Sequence, residues 1–189
     1  MSSTDMLGTT GYGLWDSGRA KLEQIFAQVM GAEDALVRSQ FQSGTHTLAV
    51  ALFGLLRAGD TLLAATGRPY DTLEGVIGLD GKGKGTGTLM DYGVKYDEVP
   101  LKPDFTPDYE LIARKAPGAK VCHIQRSRGY LQRNAFDLET IRKIAETARR
   151  ANPDILIFVD NCYGEFTQTQ EPCQVGADLV VGSLIKNPG

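Results

Sequence analysis

Cysteine is scarce in this chain. Cys122, Cys162 and Cys173 stand alone among 189 residues, spaced like neither a disulfide framework nor a zinc site. An excess of one charge is also missing. Twenty lysines and arginines face 23 aspartates and glutamates, a formal net charge of −3 with an isoelectric point near 5.4. That balance gives no electrostatic reason to expect nucleic acid or an anionic membrane as partner. No apolar run approaches the roughly 20 residues of a membrane span. The opening MSSTDMLGTTGYG has neither the basic start nor the apolar centre of a signal peptide. The two histidines, His46 and His123, have no companions at metal-ligand spacing and read as capping or core residues. These absences point to a soluble protein of a reducing, cytoplasmic compartment, without a metal site.

What is present is a globular core: 42% of the residues are hydrophobic, enough for one domain of this length. Leu22, Ile25, Phe26 and Val29 recur at helical spacing between Ser17 and Met30, with Asp16 or Ser17 to cap the helix and Gly31 to stop it. A second helix is expected from about Thr45 to Leu56, then a strand at Thr61 to Ala64 and a helix around Thr72 to Ile77. The glycine-rich run from Gly81 to Gly87 does not satisfy G-x-G-x-x-G. With no strand directly before it and no helix directly after, it reads as a connection and not as a phosphate cradle. A strand follows around Val94 to Val99, then a helix from about Thr106 to Arg114 with Pro107 in its first turn. Strand Lys120 to Gln125, helix Asp137 to Arg150 and strands Ile155 to Asp160 and Leu179 to Ser183 complete the series. Strands that alternate with helices and are continuously apolar predict a three-layer αβα fold with a mostly parallel sheet covered on both faces. Ligands in such sheets sit beyond the carboxyl ends of the strands. Gln125, Arg126, Asp160 and the stretch from Ser183 to Lys186 then share one crevice.

Two of these residues suggest chemistry. Asp160 closes the apolar run ILIFV, and Lys186, 26 positions later, closes DLVVGSLI. An acid in such a place is costly to bury without a cationic partner. A lysine there is expected to have its pKa lowered by burial, toward a nucleophilic amine. An amine and an acid at one sheet edge are how a protein holds pyridoxal phosphate, the lysine as a Schiff base and the aspartate against the pyridinium nitrogen. On position alone the plainer readings stay open: a lysine reaching to water, and a carboxylate capping the next turn. Ser43-Gly44-Thr45 precedes a helix, whose N–H groups and dipole would bind an anion, although an ordinary N-cap fits the same residues. Ser183 is a further phosphate donor or a small packing residue. Tyr70 offers an aromatic face for stacking, or packs in the core. Arg126 and Arg128, in HIQRSRGY, would hold a carboxylate or phosphate, or belong to a solvated turn. Cys162 reads as packing beside the site.

Five segments carry a resemblance: TGYG at 10–13, ALVRSQFQSGTH at 35–46, HIQRSRGY at 123–130, VDNCYGEF at 159–166 and GADLVVGSLIKNPG at 176–189. In them the chain resembles the fold-type-I pyridoxal-phosphate enzymes of cysteine and methionine metabolism, the cystathionine lyases and methionine γ-lyase. More narrowly it is similar to the aluminium-resistance or methionine γ-lyase-like branch. The resemblance implies Lys186 as the catalytic, Schiff-base lysine, Asp160 as the pyridinium partner and Tyr70 as the stacking aromatic. It implies Gly44, Thr45 and Ser183 as holders of the phosphate. Tyr12 matches a tyrosine that reaches the phosphate of the neighbouring subunit, which implies a homodimer or homotetramer. Leu14 stands where the wider group has an arginine, which leaves Arg19 as a candidate for that charge. Ile185 precedes the lysine where relatives often carry a hydroxyl, and no ring-flanking asparagine appears near Ser127.

Residues 1–16 are thus expected to form an arm and residues 17–189 part of a large cofactor domain. The C-terminal domain with the substrate-carboxylate arginine would lie beyond Gly189, so the chain is expected to be a piece of a longer protein. The activity implied by the resemblance is that of a carbon–sulfur lyase acting on sulfur amino acids by α-proton abstraction and β- or γ-elimination. Its rivals are a truncated remnant that binds no cofactor and another pyridoxal-phosphate transferase or synthase. A nucleotide-binding oxidoreductase would need a glycine-rich turn between its first strand and helix, which Gly81 to Gly87 does not supply.

Overall fold

The apolar runs LLA, VCHI and LIFV become neighbouring strands in the computed structural model of the chain, which describes residues 2–9, 16–81 and 85–188. Among them are β1 (Thr61–Ala64), β2 (Lys95–Glu98), β3 (Val121–Gln125), β4 (Leu156–Asp160) and β5 (Leu179–Val181). They form one sheet in the order β2-β1-β3-β4-β5, and every pair is parallel. The helices are α1 (Ser17–Met30), α2 (Gly44–Leu55), α3 (Asp71–Ile77), α4 (Tyr109–Lys115) and α5 (Leu138–Ala151).

A parallel sheet leaves two apolar faces to cover. On one, Ile112 of α4 and Ile141, Ile144 and Ala148 of α5 pack on Leu63, Cys122, Ile124, Ile157 and Val159. On the other, Leu48 and Leu52 of α2 and Leu73 and Ile77 of α3 pack on Leu62, Val121, Phe158 and Val181. Successive strand residues face opposite ways. Asp160, two after Phe158, is therefore delivered to the α2 face at the carboxyl end of β4. The expected three-layer α/β architecture is the one observed.

Local chemistry sets the helix ends. Asp16 accepts the Arg19 N–H at 3.0 Å and Asp137 the Thr140 N–H at 2.8 Å, each removing an orphan donor of a first turn. Gly31 stops α1 with φ +66°, a conformation that costs a side chain more than it costs glycine.

Two boundaries depart from the sequence reading by more than one residue. The fourth helix begins at Tyr109 because the Asp108 side chain caps it through the Leu111 N–H at 2.9 Å, so Pro107 lies ahead of the cap and not in the first turn. The last strand was expected to reach Ser183, yet β5 stops at Val181. The Ser183 N–H goes to the Glu165 carboxylate at 2.6 Å instead of to a strand. From there the chain turns, with the N–H groups of Lys186 and Asn187 both donating to the Ser183 carbonyl at 2.9 and 3.2 Å. Lys186 therefore stands on a turn beyond the sheet. Among the described residues no helix is long and apolar enough to cross a membrane, and all three cysteines are free thiols.

Candidate active site

The register aligns Gln125 with Asp160 and Asp160 with Val181 at the carboxyl edge. Just beyond that edge lies a cavity of about 740 Å³, with Tyr70, Asp160, Tyr163 and Lys186 in its wall. The acid and the amine singled out from sequence thus face one space. Asp160 is 1% exposed and its Oδ1 accepts the Cys162 N–H at 3.1 Å. Burial pushes its carboxyl above the ordinary range, against the opposing pull of Cys162 and of the Lys186 charge.

Lys186 is half-buried, its Nζ 4.9 Å from the centre of the Tyr163 ring. Burial disfavours its charge, but the surrounding Cys162, Tyr70, Tyr163 and Asp160 side chains outweigh that, and its pKa is raised. This overturns the lowering expected from the sequence. Desolvation is the largest single influence, in the expected direction, but on a turn the amine is only half-buried and its four neighbours together outweigh it.

Gly44 opens α2 at close quarters. A Cβ there would lie 3.3 Å from Cys162 Sγ, 3.4 Å from Ser183 Cβ and 3.6 Å from Lys186 Nζ. The N-terminus of α2, with the unpaired N–H groups of any first turn, therefore stands beside the amine. Ser43 acts as its cap, accepting the His46 N–H at 3.1 Å. Thr45 Oγ1 is 2.9 Å from both Tyr70 OH and Thr72 Oγ1. Tyr70 is fixed from behind, its N–H donating to Gln125 Oε1 at 2.9 Å. Gly44, Thr45 and Ser183 stand beside the cavity and not in its lining.

Other candidates take different places. Arg126 is buried and donates to Asn161 Oδ1 at 2.7 Å, to the Gly164 carbonyl at 2.9 Å and to Gln168 Oε1 at 2.7 Å. It lines the same cavity, but from within the fold and not on a solvated turn, and its donors are already committed to protein acceptors. Arg133 is committed likewise, to the carbonyls of Gln125, Ser127 and Asn134, and burial pushes it down to about 10. Arg128 is exposed on the cavity wall. Arg19 pairs with Asp16 at 3.1 Å. His123 is buried beside Phe158, and His46 Nδ1 accepts the Gln42 N–H at 3.1 Å. Tyr12 and Leu14 lie outside the described residues.

Sequence reasoning missed Tyr163, Glu165 and Glu171. Glu171 accepts from Asn161 Nδ2 at 3.0 Å and from the Phe166 N–H at 2.7 Å. Their one signal was two acids shortly after a buried strand, a pattern that surface loops share.

The sequence profile of the family described as methionine gamma-lyase matches residues 1–189. The uncharacterized protein YnbB of Bacillus subtilis (strain 168) is 49% identical over 190 residues, which cover 100% of this chain and 45% of that protein. A solved structure of a carbon–sulfur lyase involved in aluminium resistance from Clostridium novyi NT matches with a TM-score of 0.92 and 44% identity, over 98% of this chain and 44% of that one. A PLP-dependent aminotransferase from Streptococcus suis 89-1591 matches with a TM-score of 0.58 and 18% identity, over 77% of this chain and 36% of that one, a likeness of fold. The chain spans about half the length of these first two relatives.

Proposed function

Since the chain belongs to the methionine gamma-lyase family, we propose that it forms the pyridoxal-phosphate-binding part of a carbon–sulfur lyase. Its substrates on this reading are sulfur amino acids, which lose the α proton and then a group at the β or γ carbon. The observation that carries the reading is the pairing of a buried acid, Asp160, with the Lys186 amine across one cavity.

The residues present fit the cofactor. Asp160 is bonded to Cys162 and, among the described residues, to no cation, and a buried carboxylate favours one. Gly44 keeps the start of α2 clear for an anion. Pyridoxal phosphate, when bound, supplies an aldehyde that captures amines and a ring that draws electrons from the neighbouring carbon. Asp160 would hold a positive ring nitrogen by charge. The N–H groups of α2, with the Thr45 and Ser183 hydroxyls, would bind the phosphate. Tyr70, itself held by Gln125, would orient the ring by stacking. Lys186 Nζ, once neutral, would accept the proton from the substrate α carbon. Tyr12 would reach the phosphate of a second subunit, so the working form on this reading is a homo-oligomer in the cytoplasm.

The test is to incubate the purified chain with pyridoxal phosphate, reduce with borohydride and map the labelled peptide. The label should sit on Lys186 and vanish in Lys186→Ala. Equal labelling in that variant, or label confined to surface lysines, would overturn the reading.

A further inference from the structure

Glu165 is 1% exposed and lies on none of the strands or helices, yet the turn that bears the amine hangs on it. Its Oε1 accepts the Ser183 N–H at 2.6 Å. Its backbone carbonyl accepts from the Asn187 side-chain amide. Between those two anchors the N–H groups of Lys186 and Asn187 bond back to Ser183. Gly182 lies against the same carboxylate: a Cβ there would be 2.6 Å from Glu165 Oε1 and 3.1 Å from its Cγ. That approach is one only a residue without a side chain can make.

The other carboxylate oxygen is unusual. Oε2 is buried and has no hydrogen-bond partner. A buried carboxylate with half its capacity unused is costly, and an amide, which keeps an acceptor for the Ser183 N–H without the charge, would serve bare stability better. The groups that act on Glu165 are the Ser183 N–H and the Asp160 and Glu171 carboxylates, and burial heads the causes that raise its pKa. Those acting on Lys186 are Cys162, Tyr70, Tyr163 and Asp160.

We propose that Glu165 is a positioning residue for Lys186: it ends β5, bends the chain at Gly182 and Ser183, and thereby fixes where Nζ stands relative to Asp160 and Tyr163. Its relevance to catalysis rests on reading Lys186 as the cofactor-bearing amine, but the positioning itself does not need the cofactor.

The test reads the amine directly. Glu165→Ala, Glu165→Gln and the parent chain are labelled with a small acylating reagent across a range of pH, and Lys186 is compared with the exposed Lys102 by peptide mass spectrometry. Freed from its turn, Nζ leaves the side chains that hold its proton, its pKa falls, and Lys186 in Glu165→Ala should label severalfold faster than in the parent at moderately alkaline pH while Lys102 labels equally in both. Glu165→Gln keeps the acceptor for the Ser183 N–H and should restore the parental profile. A folded Glu165→Ala with an unchanged Lys186 profile would overturn the proposal. If that variant does not fold, Gly182→Ala, which presses a methyl on the carboxylate, should shift the Lys186 profile in the same direction. An unchanged profile there, or failure of both variants to fold, would make Glu165 a folding residue only and sink the proposal. Separately, a parent chain that fails to capture pyridoxal phosphate would remove the cofactor reading and leave the labelling result intact.

Discussion

A neutral amine is the form that condenses with an aldehyde, and Lys186 holds its proton more tightly than an ordinary lysine at 10.5, the four side chains around it outweighing its burial. Capture of pyridoxal phosphate by the chain should therefore climb with pH through and above that value, followed as the initial rate of adduct absorbance. Asp160→Asn, which removes one of the negative charges that favour the protonated amine, should move the climb to lower pH. A rate flat across the alkaline range in both proteins would contradict this. At the same scale Arg126 shows where the sequence is silent. Its shortest bonds go to the side chains of Asn161 and Gln168 and the carbonyl of Gly164, 35 or more positions away. No local pattern separates such a clamp from the anion receptor that its place after a strand suggests. Asp160 was legible because the cost of an acid after five apolar residues is a property of the run itself.

Helix α2 brings its first turn to the amine, and Gly44 is the contact. A methyl there meets Cys162 Sγ, Ser183 Cβ and Lys186 Nζ, all within 3.6 Å. Alanine is the better helix former by up to about 1 kcal/mol in a helix interior, which offsets the crowding against Cys162 Sγ at 3.3 Å, so Gly44→Ala should shift the thermal midpoint little. It should weaken capture of pyridoxal phosphate about tenfold, or about 1.4 kcal/mol, as read by titration. Retained affinity in a folded Gly44→Ala would remove the start of α2 from the proposed phosphate site. Most helix ends were readable because their causes are local: Asp16, Asp137 and Gly31 act within a turn of where they stand. The end of β5 was not, since the acceptor that intercepts the Ser183 N–H is Glu165, 18 positions earlier. An apolar run tells how long a strand could be, not where another side chain cuts it short.

For the molecule as a whole, acid should expose the cost of its buried histidine. Burial pushes His123 down from 6.5 to about 4, so between those values the unfolded chain binds a proton that the folded chain refuses. Stability then falls as pH drops through that window, by about 3 kcal/mol at most. Asp160 and Glu165 act in the opposite sense. Their carboxyls are raised, so the folded chain takes up protons before the unfolded one, and their contribution improves as pH falls toward the ordinary carboxylate range. Urea midpoints measured at about pH 7 and pH 4.5 should show a steeper acid loss in the parent chain than in His123→Leu. The same loss in both would assign acid sensitivity elsewhere.

Arg126 fastens the 161–168 segment to the sheet from inside the fold, before anything enters the cavity. A rim tied in that way is held in advance by the protein's own bonds, so on the proposed reading a guest would be selected by shape and charge more than by closure.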